Sequence, residues 1–326
     1  MAHARTFGRF GFVPLVLLAL SGSAFGQDYP TKPIRLVVPY PAGGVVDLVA
    51  RQIGQKMAAS MGQTVVVENR VGAGGTIATE ATAKAEADGY TVQMVFDSHA
   101  VNPHIYKNLR YDTFKDLAAV SLVAQIPLAF MSYRGFAANS VADVVRMAKE
   151  KPGALSYGSP SAGTSGHLAF EQFKLLAGVD ILHVPYRGGA PLLTALLGEQ
   201  VPVGIAAPTA FLTNITDGKL KAFAVSGKQR SPALPNVPTM IEVGYPALDS
   251  GAWIGVVVAA GTPAAIIARL NIEVAKAVKD PTLSRIFLDQ MIEPVGSTPA
   301  AFEAFLRTEH DKWGKVIKDA KLDLRP

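Results

Sequence analysis

The chain has 326 residues, 49% of them hydrophobic and 17% charged, a globular composition that excludes disorder and a collagen-like fibre and allows roughly two domains. Its 31 Lys and Arg against 26 Asp and Glu give a formal charge of +5, with no run of five like charges and no aromatic residues set among bases, so no nucleic-acid partner is expected. It has no cysteine, which excludes disulfides, zinc–thiolate centres and cysteine nucleophiles.

The first 26 residues read as a secretory signal peptide. His3, Arg5 and Arg9 precede an apolar run from Phe10 to Leu20, and Ala24 and Gly26 place small side chains at positions −3 and −1 of a cut. The run is shorter than the ~20 residues of a bilayer-spanning helix and contains Pro14, which weighs against the alternative of an uncleaved anchor. Cleavage removes Arg5 and Arg9 and no acid, leaving 300 residues with a charge of +3 and no uninterrupted apolar stretch of 18. A chain of that size buries ~75% of its unfolded surface and needs no covalent staple. The expected location is the periplasm.

Short β-branched runs then alternate with helical patterns, as in sheets built by crossover helices. Ile34 to Val38 is a buried strand stopped at Pro39, and Leu48, Val49, Ile53 and Met57 recur at helical spacing. Val65 to Val67 is the next strand, Thr76 to Ala87 a helix and Tyr90 to Phe96 a third strand, before an irregular stretch from Asp97 to Asp112. Pro127 splits two apolar runs, Val120 to Ala124 and Leu128 to Tyr133, and a second series begins. It holds helices Val141 to Glu150, His167 to Ala177 and Ala190 to Leu197, and strands Leu155 to Tyr157, Ile181 to Val184, Val201 to Ile205 and Lys221 to Val225. A proline-rich loop, Gln229 to Pro246, leads to a last apolar strand, Ile254 to Val258, and to helices from Pro263, Pro281 and Pro299. Thr262 and Thr298 are read as N-caps with proline at the first helical position. The terminal strand needs neighbours and is expected to return to the first sheet. The fold class is therefore α/β with two lobes, one discontinuous: residues 27–126 with 248–326, and residues 127–247.

Three loops stand where a strand meets a helix. The first is Pro39-Tyr40-Pro41-Ala42-Gly43-Gly44-Val45-Val46-Asp47, the second Asn69-Arg70-Val71-Gly72-Ala73-Gly74-Gly75-Thr76, and the third Tyr157-Gly158-Ser159-Pro160-Ser161-Ala162-Gly163-Thr164-Ser165-Gly166-His167. Their glycines serve either tight turns or main-chain N–H groups turned toward an anion at a helix start. Loops from both lobes are what a cleft gripping a carboxylate requires. Neither the dinucleotide nor the P-loop fingerprint is present. His99 and His104, with Asp97, lack the further ligands of a metal site, and no cofactor is expected. Ser165 with His167 fails the Gly-x-Ser-x-Gly pattern, because His167 stands at the second glycine, so no enzyme activity is expected. His167 is expected to donate to a ligand or to buttress its loop.

Pro30-Thr31-Lys32-Pro33-Ile34-Arg35, Val38-Pro39-Tyr40-Pro41-Ala42-Gly43-Gly44 with Asp47, and Val67-Glu68-Asn69-Arg70 with Gly72-Ala73-Gly74-Gly75 resemble the Bug-type (TctC-like) receptors. These are the extracytoplasmic solute-binding subunits of tripartite tricarboxylate transporters. Asp88-Gly89-Tyr90, Asn102-Pro103, His183-Val184-Pro185-Tyr186, Gly218-Lys219-Leu220, Val237-Pro238-Thr239 and Gly261-Thr262-Pro263 extend the resemblance over the mature chain. It implies a type II Venus-flytrap fold, a monomer, that holds a small organic carboxylate for membrane permease subunits. Carried onto this chain, the implied ligand residues are Tyr40, Ala42, Gly43, Gly44 and Asp47, then Ser98, then Ser159, Ala162, Gly163, Thr164, Ser165 and His167, with Tyr186 near by. Val46 and the Ala206-Ala207-Pro208-Thr209 segment depart from the family pattern toward apolar residues; if they face the cleft, they imply an aromatic or aliphatic mono- or dicarboxylate. The alternatives are a ligand-presenting co-receptor of a membrane sensor kinase and a periplasmic hydrolase.

Overall fold

The computed structural model describes residues 1–3, 29–249 and 251–324. The apolar run and cut of the expected signal peptide lie outside the described residues. In chain order the elements are β1 (Ile34–Val38), α1 (Val45–Met61), β2 (Val65–Asn69), α2 (Thr76–Ala83), β3 (Thr91–Phe96), α3 (Ser98–Ile105), β4 (Leu117–Ile126), β5 (Ala129–Tyr133), α4 (Val141–Glu150) and β6 (Ser156–Ser159). They continue as α5 (Ser165–Ala177), β7 (Leu182–Pro185), α6 (Gly189–Leu197), β8 (Val203–Ala206), α7 (Leu212–Thr216), β9 (Leu220–Val225), β10 (Ala252–Ala259), α8 (Ala264–Val278), α9 (Pro281–Asp289), β11 (Glu293–Pro294) and α10 (Pro299–Asp319).

The strands form two sheets. The first has the order β11-β4-β10-β3-β1-β2, the second β7-β6-β8-β5-β9. β1 runs parallel to β2 and β3, whereas β10 lies antiparallel between β3 and β4, so the terminal strand does return to the first sheet. In the second sheet β6 is parallel to β7 and β8, and β5 is antiparallel to β8 and β9. Strands buried on both faces read as continuous apolar runs. β10, Ala252–Ala259, is buried at every position.

The chain passes between the sheets twice, and the two passages are bonded to each other. The Leu128 N–H donates to Ser226 Oγ at 2.8 Å, and the Ser226 N–H returns a bond to the Leu128 carbonyl at 2.8 Å. Both residues are buried, so these bonds are shielded from competing water.

Three local expectations need correction. The stretch after β3 is not irregular: Ser98–Ile105 is a helix despite Pro103. Tertiary contacts override the proline, since α3 packs on α10 with His104 stacked on His310 at 4.1 Å and His310 Nδ1 bonded to the Ala100 carbonyl at 3.1 Å. α2 ends at Ala83 rather than Ala87. Pro263 is itself the N-cap of α8, and the Thr262 hydroxyl donates back to the Ala259 carbonyl instead of capping. At α10 the reading holds, with Thr298 Oγ1 accepting from the Ala301 N–H and Pro299 at the helix start.

Candidate functional site

The first two glycine loops and α3 are tied into one network at the C-terminal ends of β1, β2 and β3. Ser98 Oγ donates to the Gly74 carbonyl at 3.1 Å and lies 2.5 Å from the Tyr40 hydroxyl, which therefore donates to Ser98. Asn102 Nδ2 donates to the same Gly74 carbonyl, and Asn69 Nδ2 to the Tyr40 carbonyl, both at 3.0 Å. The Tyr40 ring meets the edge of Phe96. Ala42, Gly43 and Gly44 stand exposed at the tip.

Asp47 braces this loop from below. Its side chain is 2% exposed. Oδ2 accepts from the Gly43 N–H and from Arg51 Nε, both at 2.9 Å, and Oδ1 from Asn69 Nδ2 at 2.8 Å and Arg51 Nη2 at 3.0 Å. Burial alone pushes its carboxyl up, but the bonds from Arg51, Gly43 and Asn69 outweigh it and hold the group below the usual range. With its acceptor sites filled, Asp47 shapes the loop. Val46 belongs to the apolar core at 2% exposure. Its apolar character is a packing requirement and carries no information about a ligand.

The Ser/Gly loop rests on a stack of rings. His167 lies over His183 with centroids 3.8 Å apart, and Tyr157 lies 4.9 Å from His183. His167 Nδ1 accepts from the Gly163 N–H at 3.1 Å, so the neutral ring carries its proton on Nε2. Ser159 Oγ donates to the Ser161 carbonyl at 3.0 Å and sits 2.8 Å from His183 Nε2, which must donate to it. The Thr164 hydroxyl turns back to the Ser161 carbonyl. Below the stack, Tyr157 donates to Glu171, which pairs with Lys174. His167 thus buttresses the loop, and no bond joins it to Ser165 among the described residues. Tyr186 donates its N–H to the Ser159 carbonyl and lays its ring against Gly158.

The Ser/Gly loop meets α3. Gly163 has φ +74°, which favours glycine, and a Cβ there would lie 2.4 Å from Ile105 Cδ1, so the loop and α3 approach closely. Beside it, the Ser165 N–H at the start of α5 donates to Asp97 Oδ2 at 3.2 Å. Asp97, at the end of β3, is 1% exposed. Burial pushes its carboxyl up to about 6, against the hydrogen bonds it accepts from Ser165 and Ser98.

Of the implied ligand residues, the side chains of Asp47, Ser98, Ser159, Thr164 and His167 are therefore engaged in holding the loops. The donors that remain are main-chain groups. The first N–H groups of α1 (Val45, Val46, Asp47) and of α5 (Gly166, His167) have no acceptor within their own helices, and both helix starts carry partial positive charge. Such positions bind carboxylates without a basic side chain. The sequence reading missed the supports: Arg51, four residues after Asp47 on one helix face, was a legible signal, whereas His183 under His167 and Asp97 under Ser165 come from distant parts of the chain.

Residues 49–322 match the family model described as "Tripartite tricarboxylate transporter family receptor". The chain is 35% identical to Protein BugT of Bordetella pertussis over 315 residues, covering 95% of this chain and 97% of that protein. Among solved structures it is similar to Rpa4515 of R. palustris with adipate, at 34% identity and a TM-score of 0.82, over 90% of this chain and 99% of that one. It is also similar to MatC (Rpa3494) from Rhodopseudomonas palustris with bound malate, at 28% identity and a TM-score of 0.78, over 89% of this chain and 100% of that one.

Proposed function

Because this chain belongs to the tripartite tricarboxylate transporter receptor family, we propose that it captures a small organic carboxylate between its lobes and hands it, chemically unaltered, to membrane permease subunits. The family and the fold are those of solute-binding receptors rather than enzymes. The lobes are residues 27–126 with 248–326, and 127–247, with the hinge at the paired passages near Pro127 and Gly251. The protein works in the periplasm, released by cleavage of its leader.

The observation that carries this reading is the Ser165 N–H at the start of α5, which already receives a carboxylate, that of Asp97, across the junction of the lobes. A helix start that holds one carboxylate has the donors and the dipole to hold another. Closure brings N–H groups already aimed and excludes water, which strengthens each bond. Ligand shifts the open–closed balance only through its preference for the closed form, and that form is the one the permease must recognise. The neighbours with adipate and malate support a carboxylate ligand here.

A thermal-shift screen of organic carboxylates on the mature chain tests the reading. A ligand at 100 times its Kd adds about 2.7 kcal/mol to stability. A silent screen across mono-, di- and tricarboxylates would reject it.

A further inference from the structure

Asp97 stands apart from the other acids of the molecule. It lies at the end of β3 with its carboxylate turned to the start of α5, 1% exposed. Oδ2 takes the Ser165 N–H, while Oδ1, equally buried, has no hydrogen-bond partner. No basic side chain lies within ion-pair distance of it among the described residues, and the charged group that acts on it through space is Glu309, another acid. A buried carboxylate without a counter-ion is strongly disfavoured. Asp47, on the first loop, shows how this chain treats an acid that is purely structural: it surrounds it with Arg51, Asn69 and a main-chain N–H.

We propose that Asp97 determines the specificity of the cleft: it occupies one donor of the α5 start as an internal anion and directs the site away from a second ligand carboxylate, toward a solute bearing a protonated nitrogen at that end. The proposal rests on the receptor reading and narrows its ligand to amino-carboxylates. The ligand's carboxylate takes the main-chain donors of the loops and helix starts, and its ammonium supplies the counter-charge and the donor that Asp97 Oδ1 lacks. A dicarboxylate would instead place a like charge against a desolvated acid, which costs affinity unless Asp97 is first protonated. Its carboxyl is pushed up by burial, with no cation among the groups acting on it to offset that.

The test is titration calorimetry at pH 7.5 on the mature protein, with pairs matched in length: 4-aminobutanoate against succinate, 5-aminopentanoate against glutarate, and 6-aminohexanoate against adipate. At the length that binds best, the amino-carboxylate should bind at least 10-fold more tightly than its dicarboxylate. Asp97→Asn should weaken the amino-carboxylate by at least 10-fold and strengthen the dicarboxylate. Asp97→Ser serves as a second variant should the first fold poorly, and because both ligands are measured on one sample, their ratio is indifferent to an unfolded fraction. A dicarboxylate preference in the unaltered protein, a ratio unmoved by either variant, or silence of the amino-carboxylate series overturns the proposal. Dicarboxylate binding alone would leave the receptor reading intact, whereas a carboxylate screen silent throughout removes both.

Discussion

A Cβ on Gly251 would stand 2.1 Å from the carbonyl oxygen of Ile126 and 3.0 Å from Pro127 Cα. The two passages between the sheets therefore touch through backbone, at the point where the hinge is proposed. Backbone cannot rotate away as a side chain can. Gly251→Ala should lower stability by about 1–3 kcal/mol, the usual cost of forcing extra volume into a packed site. Urea unfolding measures this, and an unchanged midpoint would contradict the close approach.

Asp47 and Arg51 form an ion pair of unequal burial, with side-chain exposures of 2% and 51%. Asp47→Ala removes the acceptor of the Gly43 N–H and one of the two acceptors of the Asn69 amide, which keeps the Tyr40 carbonyl, and should cost about 1 kcal/mol. Arg51→Ala removes an exposed partner and should cost less than Asp47→Ala. Only the Asp47 change should also speed hydrogen exchange at Gly43. Equal costs for both would show that the pair, rather than the buried acceptor, holds the loop.

Two buried imidazoles and a half-buried one set the acid limit of stability. His99, His167 and His183 are pushed down to about 4, about 4 and about 3, in each case chiefly by burial, with His167 adding to the effect on His183. Folded, they stay neutral, while the unfolded chain protonates them below ~6.5. The unfolded state thus binds more protons from pH 6.5 down to 4, and stability is lost as the pH falls through that window. For His99 and His167 the loss reaches about 3 kcal/mol each. Asp97 works in the opposite sense: raised to about 6, it adds stability as the pH falls from about 6 toward 4; Glu293 and Glu309, pushed up by burial, act with it, and His104, pushed down by burial, acts with the other imidazoles. The melting temperature should fall between pH 6.5 and 4.5, and His183→Gln should flatten the fall. A profile that rises toward acid would show that the raised carboxyls dominate.

Gly163→Ala puts a side chain at φ +74° and against Ile105 Cδ1. The atom it meets is the end of a side chain that can move, so the stability cost should stay near 1 kcal/mol. The contact itself joins the loop after β6 to α3, across the proposed cleft, and ligand affinity should fall by 10-fold or more. Calorimetry and thermal melting on one preparation separate the two effects. A loss of stability without a loss of affinity would place the Ile105 contact outside the closing movement.

The receptor family was legible through the resemblance of its loop motifs, and local pattern was enough for the two-sheet α/β architecture and the return of the last strand to the first sheet, because apolar runs report burial and a strand must find neighbours. The three loops were legible for the same reason, since glycine between a strand and a helix constrains the backbone whatever surrounds it. What each loop side chain does was legible only in part: bracing was one of the two roles expected of His167. Asp47 and His167 have the chemistry of ligand groups and serve as braces, because their partners, the Asn69 amide and the Gly163 N–H for instance, are set by how the chain folds back. Asp97 passed in sequence for part of an irregular stretch. Only the docking of α5 on the end of β3 buried its carboxylate beneath a helix start, where removal from water makes a common surface acid a demanding one.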